Sequence, residues 1–449
     1  MQTVKYLARN SGFLFLNGIA TNILSFFAML YIARYLGPED YGIFSFAFAF
    51  IYFFSFIPDM GIHQILVREA AKEPEKAGKL IGNGTTIKFF LAFVALLLAL
   101  IIINIISFPS STKNALYIAS LGLLISGTGA YGTIYEAKLR MEYSLLFNFV
   151  SRVCLLIFVF LAVASRSTLN IFVLASVSAT FIHNLLMVLF SKKLVKVSFN
   201  VDFTLIKQLL KEAIPIAIAS VFTVVYFKID VLMLSFLRGD AEVGFYSAAY
   251  RLTDALVFLP SAFTTSMYPL MSRYFKDSFD SFSFAYTRTF KYLFSAGLLI
   301  AVLGTFASEK IILIFYGPEY QKSVIALQIL IWATAITFIS VLVSSTCVSS
   351  GNQQIISKTA ILAAFLNVML NLILIPSNGY AGAAVATVLS VLGSTMFGLF
   401  WIHRNLLHEN PLKGTISPII GSVVVSVIII LLKSYVDILF LSVVSVPVF

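Results

Sequence analysis

Apolar residues run through this 449-residue chain in long blocks, and each block is about as long as a bilayer crossing. A helix needs roughly 20 consecutive apolar residues to span a hydrocarbon layer about 30 Å thick. By that measure the pattern predicts helices at 12–34, 42–62, 87–107, 114–135, 145–164, 169–190, 213–236, 243–271, 290–308, 323–348, 355–376, 380–402 and 415–432. The tail from Ile438 to Phe449 is apolar but short for a full crossing. The expected fold class is all-α integral membrane, with 12 core transmembrane helices plus one or two C-terminal helices. The longest polar stretches are 63–86, 191–212 and 272–289. The first two are amphipathic, as in Asp202 to Lys211, and are expected to lie along the membrane surface.

Composition agrees with the pattern. Hydrophobic residues make up 59% of the chain and charged ones 11%, where a soluble domain carries about 25%. The net charge of +11 does not point to nucleic acid, because the basic residues sit in short segments between apolar runs. With the N-terminus placed in the cytoplasm, the inner segments hold about three Lys or Arg for every one in the outer segments. That asymmetry predicts a multi-pass protein of the cell membrane with a cytoplasmic N-terminus. The first apolar block exceeds a signal-peptide core and is expected to stay as a helix. Cys154 and Cys347 fall inside apolar runs and read as buried thiols. No GxxxxGK[ST] loop is present, so energy is expected from ion gradients, membrane potential or substrate concentration.

The chain repeats itself at an offset of 202 residues. Leu36 to Ala47 aligns without gaps on Arg238 to Ala249, matching Gly37 with Gly239, Gly42 with Gly244, Ser45 with Ser247 and Ala47 with Ala249. Further on, Pro58 falls on Pro260. Each copy is the turn between the first two helices of a six-helix unit, so the unit recurs in the same membrane orientation. This predicts two six-helix bundles, 1–195 and 196–408, followed by 409–449 with the extra helix or helices. Two like halves without a soluble domain suit an alternating-access transporter.

Three stretches carry a family resemblance: Ala33 to Gly42 with Pro58, Asp59, Gly61 and Arg68; Val243 to Leu252; and Asn367, Asn371, Pro376, Gly379, Gly382, Ala383 and Thr387. In that order they resemble the multidrug/oligosaccharidyl-lipid/polysaccharide exporters, and within them the Wzx-type flippases of lipid-linked repeat units. The resemblance implies two six-helix bundles around a cavity. It also implies an isoprenoid (di)phosphate carrying a short glycan as substrate, moved from the cytoplasmic to the outer leaflet. Membrane lipids and glycan-assembly enzymes are the other partners it implies.

Ionisable groups at membrane depth are functional candidates by default. Lys228, Asp230, Arg251 and Asp254 fall at similar depths of adjacent helices and read either as a four-charge network facing a cavity or as structural ion pairs. Arg152, Lys228 and Arg251 are candidate phosphate or sugar-acid contacts. Arg34 ends the first helix, and Asp59 ends the second, where it is expected to pair with Arg68 or to cap the turn. Asn17 and Asn22, with Thr21, and Asn367 and Asn371 either bind sugar hydroxyls or join helices. Gly379, Gly382 and Ala383 read as a tight turn and close packing, and Pro215, Pro260, Pro269 and Pro376 as kinks or helix ends. The four histidines form no metal pattern; His183 alone lies inside a helix. No metal or catalytic set is expected, and no cofactor beyond a coupling cation, H+ or Na+. Two relatives in the superfamily stay open, a peptidoglycan-precursor flippase of the MurJ type and a cation-coupled drug exporter. A membrane glycosyltransferase or polymerase is disfavoured by the short outer loops.

Overall fold

The computed structural model describes residues 2–407 and 416–432, with side chains for most of them from residue 18 onward. The predicted tail at 438–449 lies outside the described residues. Every described element is helical: α1 Gln2–Asp59, α2 Ile62–Lys72, α3 Ala77–Ile105, α4 Ser110–Ser126, α5 Thr133–Ala137, α6 Met141–Ala164 and α7 Leu169–Ser191. Then come α8 Phe203–Arg238, α9 Asp240–Leu256, α10 Phe258–Asp277, α11 Phe279–Phe315, α12 Ser323–Ser349, α13 Gln354–Asn405 and α14 Ile416–Leu432. Short 3₁₀ turns occur at Pro74–Lys76, Gly127–Gly132 and Pro318–Tyr320. All thirteen predicted crossings fall on these helices.

Glycine sets the sharpest corners. α1 has two arms that meet at Gly37, with φ 74° and ψ 173°. Gly239, between α8 and α9, has φ 92° and ψ 172°. That region of backbone space is open almost only to glycine. The aligned pair found in the sequence is thus the same backbone corner built twice. α13 likewise has two arms, which meet at Gly379 with φ 53° and ψ −133°. A Cβ on Gly382 would run into the Leu374 carbonyl, so this corner closes only on glycine.

Three expectations change. The single helix expected at 243–271 is two, α9 and α10, parted at Val257. Pro260 causes the break: it has no N–H to give the Leu256 carbonyl, and its ring crowds that carbonyl. The stretch at 272–289 is not a loop but mostly helix, with Ser278 alone separating α10 from α11, while 63–86 holds the amphipathic α2, with Ile65, Leu66 and Ala70 on its buried face. The Ser278 hydroxyl caps α11 by accepting from the Ser281 N–H. Finally, 203–212 is the start of α8, capped by Asp202, whose carboxylate accepts from the N–H groups of Thr204 and Leu205.

The chain divides into two compact units, residues 1–228 and 229–449, so the division falls inside α8. The start of α8 belongs to the first unit because Leu209 and Ala213 are buried with Ile62, Leu66, Ile81 and Tyr135. In that unit α1 packs on α3, α4 and α6. The segment after α7 crosses the start of α3, where the Ser198 N–H donates to the Gly78 carbonyl and the Asn83 amide to the Asn200 carbonyl. A Cβ on Gly78 or Gly82 would collide with the Lys196 or Ser198 carbonyl, so the two glycines admit that close crossing. In the second unit α12 is central, packed on α9, α10, α11 and α13, with Phe282, Tyr286, Phe338 and Leu342 at its core. Large apolar side chains point outward from both units, Phe90 at 67% and Phe400 at 62% exposed. Water would penalise that surface and lipid does not.

Candidate functional site

The second unit holds a carboxylate in its interior. Asp230, 4% exposed, lies on α8 where α9 and both arms of α13 meet it. Tyr246 Oη donates to Asp230 Oδ2 at 2.6 Å, and Asn371 Nδ2 donates to Oδ1 at 2.6 Å. Thr387 Oγ1 lies 3.0 Å from both Asp230 Oδ2 and the Tyr246 hydroxyl. Asn371 Nδ2 also reaches Asn367 Oδ1 at 3.0 Å, and Asn367 Nδ2 reaches Ser390 Oγ at 3.5 Å. Four helical segments are therefore tied to one carboxyl group. Lone buried carboxylates are costly, and several donors aimed at one oxygen pair reduce that cost.

The partners of Asp230 are neutral donors of its own unit. Lys228, two residues earlier, leaves α8 on the opposite side, where its ammonium lies 5.5 Å from the centre of the Tyr52 ring. Arg251 is half-buried and Asp254 is exposed on α9. Asn367 and Asn371 are both 0% exposed. Tyr246 and Thr387 entered the sequence reading only within the family resemblance, and Ser390 not at all, because such residues are ordinary in helices. Only their spacing against Asp230 and the two asparagines, one helix turn apart, gives a signal.

The cluster gathers several oxygens around one carboxyl group. Besides the Asp230 carboxylate it offers the oxygens of Thr387, Tyr246 and Asn371, and Asn371 Oδ1 is buried without a hydrogen-bond partner among the described residues. No group of three or more His, Cys, Asp or Glu residues is placed to hold a metal ion among the described residues.

The first unit has different chemistry. Asp59, at the end of α1, accepts from Lys88 Nζ at 2.6 Å, so its partner is Lys88 on α3 rather than Arg68. Arg68 bonds instead to Glu69 at 2.7 Å and to Glu212 at the start of α8. Lys88 was masked in the sequence by its position at the front of an apolar block, where a lysine reads as an orienting loop charge. Deeper in the unit, half-buried Arg152 on α6 lies in the field of His183 on α7. His183 Nδ1 is buried and has no hydrogen-bond partner among the described residues. Next to it, Asn184 Oδ1 accepts from Thr128 Oγ1 at 3.0 Å. Arg34 and Asn22 are exposed on the first arm of α1, and the side chain of Asn17 lies outside the described residues.

A helical membrane fold with two units, paired glycine corners and charge sealed into the helices defines a transporter of the exporter superfamily anticipated above. Within it the chain belongs to the polysaccharide biosynthesis protein family, which matches residues 7–275, and the MatE family matches 215–373. The low-salt glycan biosynthesis flippase Agl15 of Haloferax volcanii is 24% identical over 405 residues, covering 87% of this chain and 82% of that protein. An O-antigen transporter of Escherichia coli K12 is 23% identical over 389 residues, covering 84% and 92%. Among solved structures, the lipid II flippase MurJ in an inward closed conformation superposes with a TM-score of 0.79 at 17% identity, over 96% of both chains. These relatives are named as flippases and transporters, not as enzymes.

Proposed function

We propose that this chain is a flippase of the cell membrane with its N-terminus in the cytoplasm. It carries an isoprenoid-(di)phosphate-linked oligosaccharide from the cytoplasmic to the outer leaflet by alternating access. The observation that carries this reading is the match of nearly the whole chain to a relative named as a glycan biosynthesis flippase. The positive-inside asymmetry supports the orientation. Arg152, Lys228 and Arg251 remain the proposed contacts for phosphate or sugar acid, with glycan-assembly enzymes as the proposed suppliers of substrate.

The Asp230 cluster supports a coupling cation, H+ or Na+. A buried carboxylate beside an unused amide oxygen gives such an ion a seat, and occupying it would change which helix of the second unit holds which. A second reading, cation-coupled drug export, draws on the MatE match at 215–373.

Reconstitution separates the two. Purified protein in vesicles receives a fluorescent isoprenoid-diphosphate oligosaccharide on one leaflet, with lipid II and a cationic dye as alternative cargoes. The expected result is exchange of the oligosaccharide, accelerated by a Na+ or a proton gradient. Equal exchange in empty vesicles defeats the flippase reading, and movement of the dye alone favours the exporter.

A further inference from the structure

Lys88 stands out among the charges of the first unit. Its side chain is 5% exposed, whereas that of its partner Asp59 is 40% exposed. An ammonium has three N–H donors. The one hydrogen bond that Lys88 makes among the described residues goes to Asp59 Oδ1. Gly129 lies against the ammonium, and a Cβ there would come within 3.4 Å of Lys88 Nζ. Gly129 belongs to the 3₁₀ turn Gly127–Gly132. A buried cation with unused donors has spare capacity for an anion.

The partner carboxylate sits on a hinge. α1 ends at Asp59, just after Pro58, and the next two residues both have positive φ, Met60 at 40° and Gly61 at 79°. Positive φ at methionine is strained and persists only where neighbours hold it. Gly61 is packed against Ile216 of α8, and Lys88 holds Asp59. The ion pair therefore fastens the end of α1 to α3 at the point where the backbone is least relaxed.

Depth fits a lipid phosphate. Lys88 lies eleven residues into α3, about 16 Å along the helix, with about 26 Å of apolar helix after it. That remainder is close to one hydrocarbon thickness, so Lys88 stands at the level of one leaflet's headgroups.

We infer that the Asp59–Lys88 pair is a substrate-opened latch. The diphosphate of the lipid-linked cargo displaces Asp59 from Lys88, takes up the ammonium and frees the hinge at Met60–Gly61. No covalent bond changes; one ion pair is exchanged for another. This rests on the flippase reading above.

Because the two partners compete, their substitutions must act in opposite directions. The full chain in nanodiscs is titrated with fluorescent undecaprenyl diphosphate, with phosphatidylglycerol in parallel. Asp59→Asn, which frees the ammonium, is expected to tighten binding three- to tenfold. Lys88→Met should weaken it about tenfold, Lys88→Arg should restore most of it, and the double variant should behave as Lys88→Met. A thermal melt of each variant checks folding. If both single changes weaken binding or leave it unchanged, the pair is a structural brace and the latch is wrong. An equal response to phosphatidylglycerol would make Lys88 a general lipid anchor and overturns the cargo assignment. Absence of diphosphate binding by the unaltered protein would defeat the flippase reading with it, whereas normal binding and flipping without the opposed signs defeats the latch alone.

Discussion

The two copies of the glycine corner share a backbone and differ in what they bury. At the offset that pairs Gly37 with Gly239, Asp230 corresponds to Ala28 and Tyr246 to Phe44. Ala28 and Phe44 are 0% and 4% exposed, so the same depth of the first unit is apolar and closed. In the second unit that depth carries a carboxylate and the phenol that bonds to it. The repeat conserves the scaffold while the chemistry has gone separate ways. The first unit keeps its buried charge elsewhere, at Asp59–Lys88 and around Arg152.

That contrast can be broken most violently by moving the acid. Ala28→Asp places a carboxylate where no donor set waits, at a cost of about 3 kcal/mol or more. Folded yield and melting temperature in detergent should collapse. Asp230→Asn keeps the shape and most of the hydrogen bonds while removing the charge. Folding should survive it, and cation-driven flipping should fall at least tenfold; unchanged ion dependence would place the coupling elsewhere.

The shared half of the comparison makes a smaller prediction. Gly37→Ala and Gly239→Ala each force a side chain into backbone space reserved for glycine, costing about 1–3 kcal/mol. Melting curves should show similar losses for the two, and a large disparity would mean that the corners are not equivalent. The smallest effect belongs to the first unit. Lys79, 2.7 Å from Asp202, and the N–H groups at the start of α8 hold that carboxyl below its ordinary range. A group with a lowered folded value contributes in full at neutral pH. The contribution is lost as pH falls from about 4 through the lowered value. Lys79→Gln should flatten that part of an acid melting profile, by little, because the pair faces solvent.

Run length and glycine spacing made the scaffold legible. The apolar blocks located every described crossing, since a bilayer imposes one length on all of them, and the Gly37/Gly239 match exposed the duplication. Asp230 was visible as a charge in an apolar run. Its partners were not, because Tyr246, Asn371 and Thr387 are brought to it from helices up to 157 residues away. Lys88 was not singled out, for a related reason. A lysine before an apolar block looks the same whether it orients the helix or is folded beneath a neighbour.

The crossing of the segment after α7 over Gly78 and Gly82 has a consequence for the order of synthesis. The opening turns of α3 find their cover only when residues 196–200 have been translated, some 120 residues later. At about 5–20 residues per second, those glycines wait of order ten seconds. Over that interval α4 to α7 are added while the seam on α3 stays bare. Whatever shields the seam meanwhile, insertion machinery or lipid, must leave as α8 begins.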